Sequence, residues 1–361
     1  MNSFHRSTVR LFVLTAALSG TPPTSAAEFM FRAQVDGETI EGKPLAWTDD
    51  EMYLLGRDGR LHAFHPQEAQ DAKKTSSNFV GFSVPEMKRE LYRDFGDALD
   101  ITTTQHYIVM HPRGERSDWA DRFEELYRSC LAYFRVRGFR LEEPKFPLVA
   151  IVYRNRDEYY LAASASGKSL PPNMLGRYDP TNNHVYLFDV TAGNPEGDWS
   201  ENAATIIHEA THQTAYNVGI HNRFADQPRW LVEGLATMFE ARGVWNSQSF
   251  HSLKDRINQG RLADFRAGLG RRQPGTLVGL VVSDQLFRTN SIAAYAESWA
   301  LVMFLCETRP RQLAEYFEKT AARADFSSYF AAQRMADFAE CFGTDVKQLE
   351  ANFLAWMAEI K

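Results

Sequence analysis

His208-Glu209-Ala210-Thr211-His212 places two histidines four residues apart, with a glutamate directly after the first. On a helix, four residues is about one turn, so both imidazoles share a face and can offer two nitrogens to one ion. Glu209 is rotated by about 100° from His208, beside such an ion rather than on it. Zn2+ takes histidine nitrogen readily, and a carboxylate so placed can accept a proton from water that the ion acidifies. The surrounding stretch, Asn202–Asn217, holds no Gly or Pro and reads as a helix. Asp198 or Ser200 can cap its start, and Glu201 lies three residues after Asp198, as in a capping box. Ala203, Ala204, Ile206, Ile207 and Ala210 surround the motif with apolar side chains. Ionisable groups in such company need a partner or a metal.

A catalytic zinc site needs a third protein ligand and one open position. A continuation of the HxxGxxH kind fails, because Ala215 and Val218 stand where it would need other residues and His221 is out of register. A glutamate on a second helix fits better. Pro228 can start that helix, and Trp230, Leu231, Leu235 and Phe239 give it an apolar side. Glu233 follows His212 by enough chain for a loop and an antiparallel return, and Gly234 and Ala236 are small enough for close helix packing.

The pair HEATHQ and WLVEGLA resembles the gluzincins, zincin metallopeptidases whose third ligand is glutamate, and more narrowly the exported bacterial peptidase-MA-like proteins. The resemblance spans roughly residues 100–310, and its two motifs are specific only together. It implies that His208, His212 and Glu233 bind one Zn2+ and that Glu209 is the general base. Thermolysin-like members carry an Asp one turn after the glutamate ligand; Thr237 stands there instead. Asp226 and Glu240 are the alternatives for orienting a ligand histidine, each also readable as a plain loop or helix carboxylate. The family's downstream tyrosine matches Tyr295, which would hydrogen-bond the tetrahedral intermediate; packing among neighbouring aromatics is the rival reading. In gluzincins an edge strand beside the site pairs with extended substrate, and the resemblance puts His184–Val190 in that role.

The elements that must position these residues follow from patterning. Residues 28–66 carry strand and turn signals, with Asp36-Gly37 and Asp58-Gly59 as hairpin turns. Residues 67–78 are polar and read as a linker. Strands are expected at Thr104–His111, Phe146–Tyr153 and His184–Val190. Helices are expected at Asp118–Gly138 and Arg156–Ser164, then at Leu253–Arg266, Ser291–Glu307, Arg309–Ala324 and Thr344–Ile360. The expected organisation is a leader (1–27), a small β-rich domain with linker (28–95), and a catalytic domain (100–361). In the last, residues 100–217 hold sheet and zinc helix and 218–361 are helical. The fold class is α+β, and the resemblance makes it zincin-like.

The leader reads as a secretory signal: Arg6 and Arg10 precede an apolar Leu11–Leu18, and Ser25-Ala26-Ala27 are small residues for cleavage. The apolar run is too short to span a bilayer. The expectation is an exported protein, periplasmic or secreted, with no membrane span after the leader is removed. With 40 Lys+Arg against 46 Asp+Glu the net charge is −6, which argues against a nucleic-acid partner. Cys130, Cys306 and Cys341 are too few for a disulfide framework; they read as free thiols, with a Cys306–Cys341 bridge as the alternative. The expected function is hydrolysis of a peptide or protein substrate. A zincin-scaffold binding protein without activity and a zinc hydrolase of another amide or ester are the rivals. Oligomeric state and cleavage specificity are not written in the motifs.

Overall fold

The computed structural model describes residues 29–114, 118–191 and 200–360. The leader, Asp198 and the side chains of Ser200 and Glu201 lie outside the described residues. Two Asp-Gly turns open the fold. Strand β1 (Met30–Val35) pairs antiparallel with β2 (Glu38–Trp47), with Val35 opposite Glu38. The two turn residues, Asp36 and Gly37, sit at φ 52° and 83°, the positive values that a type I′ hairpin requires. Strands β3 (Met52–Gly56) and β4 (Leu61–Phe64) form the next hairpin, with Gly59 at φ 84°. Residues 67–78 are a correction to the linker expectation: Gln70–Ser76 is strand β5, and it closes a sheet of order β4-β3-β2-β1-β5. Its only fully buried side chain is Ala72, so no apolar alternation betrays it. Phe31, Met52 and Leu54 fill the core under this sheet.

Helix α1 (Val84–Phe95) follows, started by Ser83, whose N–H and hydroxyl both donate to Glu86 (2.8 and 2.7 Å). A second five-stranded sheet has the order β6 (Leu99–Thr103), β7 (Tyr107–Pro112), β8 (Leu148–Tyr153), β10 (His184–Phe188), β9 (Gly176–Asp179). Two helices lie between its strands in sequence, α2 (Asp118–Arg135) and α3 (Arg156–Ala165). The strand expected at the sheet edge is therefore misplaced: β10 lies between β8 and β9, and β9 ends the sheet.

The remainder is helical: α4 (Ser200–Asn217), α5 (Arg229–Phe239), α6 (Arg242–Trp245), α7 (Gln259–Gly268), α8 (Thr276–Val282) and α9 (Gln285–Thr289). Then come α10 (Ser291–Thr308), α11 (Pro310–Ala321), α12 (Ala331–Phe342) and α13 (Val346–Glu359). The helix expected over 253–266 is broken at Asn258, whose side chain accepts from the Arg261 N–H (3.1 Å) and so starts α7 afresh. The class is α+β.

Contacts divide the chain into two compact units. Of the described residues, one holds 29–114, 144–150 and 179–184; the other holds 118–143, 151–178, 185–191 and 200–360. In the second unit α5 packs most extensively against α10. Gly234 permits this: a Cβ there would lie 2.5 Å from the Ser298 carbonyl oxygen and 2.6 Å from Val302 Cγ2. Trp230 and Trp299, both fully buried, fill the core of this unit.

Candidate metal centre

Every residue of the centre belongs to the second unit. α4 presents His208 and His212 one turn apart on one face, and α5 presents Glu233 to that face. The two Nε2 atoms are 3.1 Å apart, and each lies 3.4 Å from Glu233 Oε2. Among the described residues this is the one His/Cys/Asp/Glu group whose ligand atoms converge as a metal site requires. Glu233 Oε2 is buried with no hydrogen-bond partner of acceptable geometry. Two imidazole nitrogens converging on a buried carboxylate oxygen left unpaired fit a cation between them. The spacing fits as well, because bonds of about 2.0–2.1 Å at tetrahedral angles separate ligand atoms by roughly 3.3–3.4 Å.

The imidazole of His208 is fixed from behind. Its Nδ1 donates to Glu240 Oε1 at 2.8 Å, which leaves Nε2 to face the centre. Glu240 lies two turns beyond Glu233 and is itself held by Asn258, whose Nδ2 donates to Oε2 at 2.7 Å and to the Thr237 carbonyl at 3.1 Å. Burial works against a charge on His208, but the carboxylates of Glu233 and Glu240 beside it outweigh burial and hold its pKa well above the ordinary imidazole value. Burial likewise opposes a charge on Glu233, and its two histidine partners outweigh that and hold its carboxyl well below the usual range. Of the two carboxylates considered for this post, Asp226 is engaged elsewhere, accepting from the Tyr329 N–H at 3.2 Å. Thr237, where an Asp stands in thermolysin-like sequences, turns its hydroxyl to the Glu233 carbonyl (2.5 Å).

Glu209 points off the histidine face toward the end of the second sheet. The backbone N–H of Tyr178, in β9, donates to its Oε2 at 2.6 Å. Gly176 lets the strand approach, since a Cβ there would meet Thr205 Cγ2 of α4 at 2.7 Å. The Tyr178 ring stacks on Tyr216 of α4 (centroids 5.7 Å apart). Sequence reasoning missed Tyr178, because its contribution is a backbone N–H that any residue but proline supplies. Gly176 was the available signal.

Tyr295, on α10, has its ring centroid 6.4 Å from that of His208. Burial raises its pKa, as does the charge on Glu233, so its hydroxyl keeps its proton at neutral pH. Arg261 lies over the same ring at 5.3 Å. His221 is fully buried between Tyr216 and Phe317 (5.4 and 5.5 Å), and burial pushes its pKa down to about 3. It is a neutral core residue and is not part of the group formed by His208, His212 and Glu233. Cys130, Cys306 and Cys341 are all free thiols.

A family described as a protein of unknown function (DUF1570) matches residues 202–327, which include both motif helices and Tyr295. No curated protein matches the chain. Among solved structures, an M1 zinc metallopeptidase from Deinococcus radiodurans is similar at 14% identity and a TM-score of 0.38, over 70% of this chain and 49% of that one. Yeast LTA4 hydrolase in complex with bestatin is similar at 12% identity and a TM-score of 0.39, over 71% of this chain and 37% of that one. The chain thus spans half or less of the length of either.

Proposed function

We propose that this chain is a zinc-dependent peptidase of the gluzincin type, exported on its leader, with His208, His212 and Glu233 as the protein ligands. The observation that carries this reading is the triangle of two Nε2 atoms and one orphaned carboxylate oxygen, with sides of 3.1, 3.4 and 3.4 Å. When bound there, Zn2+ polarises a scissile carbonyl and lowers the pKa of water.

The chain's own groups supply the rest. Glu209 takes the proton of the attacking water and passes it to the leaving amine. The Tyr178 N–H, 2.6 Å from Glu209 Oε2, fixes the carboxylate's direction without protonating it. The Tyr295 hydroxyl, protonated at neutral pH, donates a hydrogen bond to the oxyanion as charge develops. Glu240 holds the His208 tautomer through Nδ1. β9, which ends the sheet beside Glu209, is the strand along which an extended peptide would lie. An intact carboxylate at position 209 favours an enzyme over a binding scaffold, because a purely structural site has no use for a base.

The test is Glu209→Ala assayed on denatured casein, with zinc content measured in parallel. The variant is expected to keep its zinc and to lose about 10²–10⁴-fold in kcat. Cleavage at the wild-type rate by a zinc-loaded Glu209→Ala chain would refute the mechanism.

A further inference from the structure

Arg229 is the first residue of α5 and precedes Glu233 by one turn. A cation at a helix N-terminus opposes the helix dipole, so α5 gains nothing from it locally. Its contacts lie elsewhere. Nε stands 3.5 Å from Glu233 Oε1, the oxygen turned away from the histidines. The guanidinium also lies close enough to Tyr295 for its charge to act on the phenol. Its Cζ lies 4.4 Å from the Phe287 ring centroid, and that ring packs edge-on against Tyr295 at 5.5 Å. The root of the side chain is tied down too, since the Arg229 N–H donates to Asp284 (3.3 Å), which Arg334 holds at 2.9 Å.

The donor inventory gives these contacts a direction. A guanidinium only donates, and a phenol has one hydrogen. A donation from Arg229 to the Tyr295 oxygen would leave the Tyr295 hydrogen free for another acceptor. With Arg229 beside Oε1 of Glu233, Oε2 is the oxygen left to face His208 and His212.

Resting on the zinc reading above, we propose that Arg229 is a positioning residue for the centre. One guanidinium aims the Glu233 carboxylate at the metal and the Tyr295 hydroxyl at the substrate, coupling the third ligand to the oxyanion donor. Its side chain is 46% exposed, so truncating it leaves no buried cavity.

The test compares Arg229→Ala, Arg229→Lys, Tyr295→Phe and the Arg229→Ala/Tyr295→Phe double variant. Zinc affinity is read by chelator competition, and kcat and KM on denatured casein at saturating zinc. Arg229→Ala is expected to bind zinc about tenfold or more weakly, with Arg229→Lys recovering part of the loss and Tyr295→Phe unchanged. In the kinetic arm Arg229→Ala falls to the kcat of Tyr295→Phe, KM moves less than kcat, and the double variant is no slower than either single one. Wild-type zinc affinity in Arg229→Ala, or kcat losses that multiply in the double variant, would overturn the proposal and leave the zinc reading standing. A wild-type chain that binds no zinc would overturn that reading and the proposal with it. The zinc arm needs no turnover and decides the positioning of Glu233 alone.

Discussion

His208 and His212 bring their Nε2 atoms to 3.1 Å, a distance that one imidazole donating to the other or a cation between them accounts for. Glu240 accepts from Nδ1 of His208 and so makes Nε2 the nitrogen that would face a metal. Glu240→Ala is accordingly expected to weaken zinc binding by about 10–100-fold while leaving the fold intact. Chelator competition measures this directly, and unchanged affinity would remove Glu240 from the centre. That His208 and His212 share a face was legible in the sequence, because helical spacing fixes it, whereas Glu233 was reached through the motif on its own helix and the resemblance that the pair of motifs carries. Glu240 was legible only as one of two options, since its target lies on another helix. Asn258 was not legible: its visible task is to cap α7, and its second task depends on where α7 meets α5.

The separation of α5 and α10 places Glu233 and Tyr295 on facing helices, and Gly234 sets that separation. Alanine is the better helix former by about 1 kcal/mol, so an exposed glycine would gain from the change. Here the new Cβ would lie 2.5 Å from the backbone oxygen of Ser298, which cannot swing aside. Gly234→Ala is therefore expected to lower stability by about 1–3 kcal/mol, read as a fall in the denaturation midpoint. An unchanged or higher midpoint would mean that the helices do not approach so closely. The helices of the second unit were readable from periodicity and caps, and Gly234 and Ala236 already marked a close approach. β5 was not readable, because a strand with Ala72 as its only buried side chain has no hydrophobic period. α1 was within reach: Ser83, Pro85 and Glu86 form a start signal that was passed over inside a polar region. The place of β10 inside the sheet was beyond reach, since strand order depends on pairings between distant segments.

At the scale of the whole molecule, the two compact units divide the work unevenly. His208, Glu209, His212, Glu233, Glu240 and Tyr295 all fall within one unit, and the five-stranded sheet β4-β3-β2-β1-β5 falls in the other. Among the described residues, the groups named at the centre include none from the N-terminal sheet. No helix among the described residues is long and apolar enough to cross a membrane. The central claim is the metal, and elemental analysis of the purified chain beside His212→Ala tests it most directly. About one zinc per wild-type chain, lost in the variant, is the result expected of a three-ligand site. A wild-type chain that holds no zinc even after reconstitution, or a variant that holds as much as the wild type, would contradict it.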